Sequence, residues 1–167
     1  FGGIGLFQLI KRRSIVKVDG DIIILGIYYI VVIIAYLIFE KIPINYRPIL
    51  IEGIMEVSYP SSTTLLVLCV MPTLMEQMNR RGKNGTARSV INSLVIAFSV
   101  FMVIGRLISG VHWFTDIVGG ILLSIGLFFV YKAVILFTFV YKSVYTREFL
   151  FFLYKYLEVD WLRNFVS

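Results

Sequence analysis

The stretch "GRLISGVHWFTD", Gly105 to Asp116, decides how this chain is read. It carries the one histidine in the sequence, His112, with Arg106 six residues before it and Asp116 four after. Uncharged apolar runs flank it on both sides, Ser89 to Gly105 before and Ile117 to Tyr131 after. An ionisable group at membrane depth costs on the order of 2.5–3.5 kcal/mol on insertion scales, so three of them at one turn point to use.

Membrane depth follows from composition. Of the 167 residues, 59% are hydrophobic and 16% charged, and the mean hydropathy is +0.89. A soluble domain of this size could not hide so many apolar side chains. Ile22 to Phe39 and Val57 to Met75 are two further runs without a charge. Each of the four is near the length of about 20 residues that crosses a bilayer. The expected fold is therefore all-α, a polytopic transmembrane helix bundle with four full spans. Phe1 to Ile10 is half a span followed by the basic "KRR", the reverse of a signal peptide's order, so earlier spans are expected ahead of Phe1.

The expected organisation is a membrane-embedded bundle over residues 1–135 and an aromatic-rich tail over 136–167. The tail, with scattered charges among its tyrosines and Trp161, reads as an interfacial helix. Mid-span Gly26, Gly119, Gly120 and Gly126 read as points of close helix packing.

Net charge is +6, but the basic residues sit in short clusters beside apolar runs, as membrane topology requires. No basic face with interleaved aromatics appears, which argues against nucleic acid as a partner. The bilayer is the expected partner. Cys69 is the single cysteine, so no internal disulfide can form, and one His with one Cys cannot build a structural zinc site.

Strongly basic segments alternate with mixed ones. "KRRSIVK", "NRRGKNGTAR" and the tail take the cytoplasmic side by the retention of positive charge. Residues 40–60 and 106–116 then share the extracytoplasmic face of a multi-pass protein of the cell membrane. Polar groups distant in sequence meet there.

If Asp116 lies in the first turns of the following helix, His112 and Asp116 occupy one face, about 5–6 Å apart at Cβ. The carboxylate then holds one ring nitrogen and leaves the other with a free lone pair. A simple helix cap would use the same pair, but Arg106 adds a planar fork suited to phosphate. Gly110 permits a sharp turn ahead of it. The segment before the second span adds Lys41 and Arg47, then "YPSSTT". There Pro60 opens a span, and Ser61, Ser62, Thr63 and Thr64 populate its first turn. Free N–H groups and hydroxyls at a helix start suit an anion. Together these groups point to phosphate.

The same residues carry a resemblance to the type-2 phosphatidic acid phosphatase family. "GRLISGVHWFTD" resembles its last signature, Ser-Arg, five residues, His, three residues, Asp. "YPSST" resembles the middle one, Pro-Ser-Gly-His, and "YRP" the end of the first, Lys, six residues, Arg-Pro. The likeness covers roughly residues 20–135. It implies a membrane enzyme without metal or other cofactor, acting on a lipid phosphate or diphosphate through a phosphohistidine. By it, His112 is the nucleophile and Asp116 its orienting partner. Lys41, Arg47, Ser61, Ser62, Thr63 and Arg106 stand at the phosphate-binding positions.

Three positions depart from the pattern. Lys41 leaves five residues to Arg47, Gly105 replaces the serine before Arg106, and Thr63 stands where the family places its general-acid histidine. A proton donor matters most for an alkoxide leaving group and less for a phosphate, which predicts a preference for lipid diphosphates such as polyprenyl diphosphates. Two other readings stay open: a silent relative that binds lipid phosphate or a partner protein, and a transporter with ionisable groups along a path through the membrane.

Overall fold

The computed structural model describes residues 19–82 and 84–157, with side chains as far as residue 147. The half-span before "KRR" and the end of the tail, Trp161 included, lie outside the described residues. Four helices follow in order: α1 Gly20–Lys41, α2 Ser62–Arg81, α3 Gly85–Ile108 and α4 Phe114–Leu157. The architecture is all-helical, as expected, with two isolated antiparallel bridges in the α1–α2 loop. Contacts divide the chain into a unit ending at Tyr131 and a second beginning at Lys132.

Among the described residues, three helices are long and apolar enough to cross a membrane: Gly20–Lys41, Gly85–Ile108 and Phe114–Arg147. Large apolar side chains such as Ile30, Ile34, Phe101 and Leu122 face outward from them, the surface a bilayer would cover. α2 differs from the span read in the sequence. Residues 57–61 stay outside the helix, which begins at Ser62 and runs on through the charged Glu76, Arg80 and Arg81. Thr64, Thr73 and Gln77 on its inward face and the charges toward its end make its composition the least membrane-like of the four.

That inward face holds the bundle together. Thr64, Cys69, Thr73 and Gln77 are buried along α2. Thr73 Oγ1 lies 2.8 Å from the Tyr29 hydroxyl of α1, and Gln77 Nε2 donates to the Tyr131 hydroxyl of α4 at 3.3 Å. At the far end Arg81 bonds Asp19 at 3.2 Å and Asp21 at 2.6 Å. Apolar helices gain nothing hydrophobic by pairing in lipid, so such bonds, worth about 0.6–2 kcal/mol each, select the partners.

Of the mid-span glycines, Gly119 and Gly120 pack closely and Gly26 and Gly126 face open space. A Cβ on Gly119 would overlap the Tyr59 ring, and one on Gly120 would meet Thr64 Cβ at 3.2 Å and Ser61 O at 3.3 Å. The first turns of α4 thus pass directly under the residues that lead into α2.

Candidate active site

The α1–α2 loop folds back on itself. Glu52 and Gly53 take positive φ angles of 49° and 79°, turning the chain so that Tyr46 faces Val57. Arg47 N donates to Glu56 O at 3.0 Å, and Ser58 N to Asn45 O at 2.9 Å. Asn45, Arg47 and Ser58 are thereby gathered at one point. Gly110, at φ +67°, turns the chain after α3 and sends His112 toward them. Trp113 Nε1 donates to Tyr46 O at 2.8 Å, and Ser61 N to Asp116 O at 3.1 Å, fastening the two loops together.

His112 and Asp116 come together, but not as two residues on one helix face. α4 begins at Phe114, so His112 belongs to the loop and Asp116 to the first turn. Their side chains are 2% and 0% exposed, and Nδ1 lies 3.8 Å from Asp116 Oδ2, too far for a hydrogen bond. Ser58 fills the gap. Its hydroxyl bonds Asp116 Oδ2 and lies 3.0 Å from His112 Nδ1, while its carbonyl oxygen is 3.1 Å from the same nitrogen. Nothing in the motifs marked this serine; it stands two residues ahead of "PSST" in an otherwise uncharged run.

A carbonyl oxygen can only accept, so Nδ1 carries the ring proton and Nε2 the lone pair. Nε2 is buried and has no hydrogen-bond partner among the described residues. The Asp116 carboxylate accepts from Asn45 Nδ2 at 3.2 Å on one oxygen. On the other it accepts from Trp113 N at 2.9 Å and from Ser58 Oγ. Burial, then the charges of Arg47 and Arg106, push the imidazole's pKa below its ordinary value; Asp116 and the Ser58 backbone pull the other way. A lowered pKa favours the neutral ring, with its lone pair on Nε2.

Ser58, Ser62, His112 and Arg47 line a cavity of about 520 Å³. Two carboxylates, Glu40 and Glu56, share its wall. Arg47 Nε lies 3.0 Å from Glu56 Oε2, an ion pair without hydrogen-bond alignment. Arg106, in the last turn of α3, donates through Nη2 to Thr63 Oγ1 at 2.6 Å, and its buried Nε has no hydrogen-bond partner among the described residues. Ser61 is fully buried, its hydroxyl accepting from Thr64 Oγ1 at 3.1 Å. Lys41 is the last residue of α1 and exposed; it does not line the cavity, whereas its neighbour Glu40 does. The structure thus brings Arg47, Ser61, Ser62, Thr63, Arg106, His112 and Asp116 to one end of the helices and leaves Lys41 at the edge.

An imidazole whose Nε2 has no partner among the described residues, on a polar cavity lined by Arg47 and under the charge of Arg106, can attack an electrophilic phosphorus while the cations neutralise its oxygens. Comparison with curated proteins and with solved structures gives no match. A family model, described as the PAP2 superfamily, matches residues 22–145. That match takes in α2 and α3 whole, most of α1 and α4, and both loops that build the site. The chain is a membrane-embedded member of the PAP2 superfamily, a family of phosphatases.

Proposed function

We propose that this protein removes or transfers a phosphoryl group from a membrane lipid phosphate or diphosphate through a covalent intermediate on His112, without metal. The observation that carries this is the His112 ring: its Nδ1 proton is held by Ser58 and its Nε2 is buried beside the cavity with no other partner among the described residues. The Nε2 lone pair forms a bond to phosphorus while the bond from phosphorus to the leaving oxygen breaks, and that oxygen keeps the electron pair. Water, or the hydroxyl of an acceptor, then attacks the phosphorus, the N–P bond breaks with its electron pair returning to Nε2, and the attacking oxygen gives up its proton to solvent. Arg47 and Arg106 balance the charge on the three equatorial oxygens, with Ser61, Ser62 and Thr63 at the helix start adding N–H or hydroxyl contacts. Lys41 is long enough to meet a substrate arriving at the cavity rim.

Diphosphate-linked lipids such as polyprenyl diphosphates are the preferred class. The hydroxyl of Thr63 is bound to Arg106 and is far too weak an acid to protonate an alkoxide near neutral pH. A departing phosphate needs no such proton. Sidedness is supported by charge: Arg80, Arg81 and Arg88 lie at the α2–α3 turn, the end of α3 opposite Arg106. With positive residues retained inside, the site faces the extracytoplasmic side of the cell membrane.

One observation favours a second reading, the silent relative that binds lipid phosphate. Arg47 is already paired with Glu56, and Glu40 shares the wall, so an anion must compete for the guanidinium. Purified protein given polyprenyl diphosphate or phosphatidic acid, with chelator present, separates the two. Phosphate release lost in His112→Ala supports the enzyme, and equal background in both supports the silent relative. Faster turnover of phosphatidic acid than of the diphosphate would defeat the substrate assignment.

A further inference from the structure

The geometry points to Ser58 as the positioning residue of this site: its hydroxyl bridges His112 and Asp116, and its carbonyl holds the ring, in place of a direct hydrogen bond between the two. This rests on His112 being the nucleophile.

The proton inventory leaves one arrangement. Asp116 Oδ2, a carboxylate oxygen, can only accept, so the Ser58 hydroxyl donates its single proton to it. The hydroxyl oxygen is then free to accept from His112 Nδ1–H at 3.0 Å, a proton it shares with the Ser58 carbonyl at 3.1 Å. One residue supplies two acceptors for the imidazole and one donor for the carboxylate. At 3.8 Å the direct pair is left with Coulomb attraction alone. Ser58 is 2% exposed, and its own N–H is spent on Asn45 O, so the backbone that aims the carbonyl is itself fixed.

No proton needs to change owner. When Nε2 bonds to phosphorus the ring becomes cationic, Nδ1 keeps its proton, and the Ser58 hydroxyl passes the polarisation to the Asp116 carboxylate. The charged groups acting on the ring are Asp116 from α4, Arg47 from the α1–α2 loop and Arg106 from α3. The two cations oppose a positive ring; Asp116 favours it by Coulomb attraction at 3.8 Å and, through the Ser58 hydroxyl, by a hydrogen-bonded path.

His112 is the one histidine in the chain, which allows a test that does not depend on turnover. Protein labelled with 15N-histidine is titrated by long-range 1H–15N NMR as wild type, Ser58→Ala, Asp116→Asn and the double variant. The wild type is expected to show the Nδ1–H tautomer. Asp116→Asn is expected to move the imidazole titration to lower pH, and to move it much less when Ser58 is already alanine. An Nε2–H tautomer in the wild type, or equal Asp116→Asn shifts with and without the serine, overturns the relay.

Kinetics provide the second readout. Ser58→Ala is expected to lower kcat about 10–100-fold, as loss of a partner that orients a histidine does, with KM within about two-fold because the phosphate contacts remain. Added to Asp116→Asn it is expected to cost less than about two-fold, since the two act as one unit. Ser58→Thr, which keeps the hydroxyl, is expected to recover most of the activity. Additive losses, or a Ser58→Ala effect confined to KM, overturn the proposal even where lipid diphosphate is turned over normally. An inactive wild type with intact NMR coupling would instead fault the enzymatic reading.

Discussion

Replacing Asp116 by asparagine tests the site at its most constrained atom pair. The carboxylate is fully buried and accepts from three donors: Asn45 Nδ2 on one oxygen, Ser58 Oγ and Trp113 N on the other. An asparagine can offer its one oxygen to Ser58 and Trp113, but its amide nitrogen then faces the Asn45 amide, donor against donor. Asn45 cannot easily invert, because its Oδ1 accepts from Tyr46 N at 2.9 Å. One buried donor is left without an acceptor, which costs about 1–3 kcal/mol of stability. Removing a buried charge offsets part of that, so the fold should survive.

Activity should suffer more. Where an aspartate alone fixes the histidine tautomer, its loss costs about 10⁴-fold in kcat. Here the Ser58 carbonyl also holds Nδ1–H, so the ring should keep its tautomer and lose only the stabilisation of its cationic form. The expected loss is about 10²-fold in kcat with little change in KM, on the scale by which a transition-state interaction is read from kinetics. Phosphate release in nanodiscs, paired with thermal unfolding of the same samples, measures both. A loss under about three-fold in a folded protein would show that Asp116 is not the partner of the nucleophile.

Three further outcomes follow from the same geometry. The His112 pKa is lowered by burial and by Arg47 and Arg106, so the acid limb of kcat/KM is expected below pH 6.5; protonation there also costs stability, which falls as pH drops below the unfolded value, and a limb above 6.5 in a pH–rate profile would contradict the electrostatics. Gly119→Ala puts a methyl group into the Tyr59 ring, beside Ser58, and should cost about 1–3 kcal/mol by overpacking and lower kcat, whereas Gly126→Ala, which meets open space, should leave thermal unfolding and turnover unchanged. Thr63→His should raise phosphatidic acid turnover relative to diphosphate by at least about ten-fold, within the usual 10²–10⁴ reach of general acid catalysis; an unchanged ratio would remove the missing-acid account.

Much of the bundle was legible because the bilayer imposes one strong constraint: uncharged runs of spanning length are helices. α2 was the exception. Its run of apolar residues began at Val57, but Val57 and Ser58 belong to the folded-back loop, and the helix reaches into charges the run excluded. Thr73, Gln77 and Arg81 are satisfied by partners on other parts of the chain, which no local pattern reveals. At the site, Arg106, His112 and Asp116 were readable because their spacing is short and their chemistry rare in such a sequence. Ser58 was not, since serine is common and it lies 54 residues from the ring it serves. Lys41 shows the opposite case, a charge suited to phosphate by type, though one residue out of the family's spacing, that the end of α1 leaves exposed. The adjacent Glu40, together with Glu56, reaches the cavity instead.

The most direct measurement is to trap the intermediate. Protein given lipid diphosphate labelled with 32P at the terminal phosphorus, with chelator present, is quenched in base and digested. The account predicts an acid-labile, base-stable label on the peptide containing His112, absent from His112→Ala. Full phosphate release by a wild type that never carries label, or label that persists in His112→Ala, would contradict it.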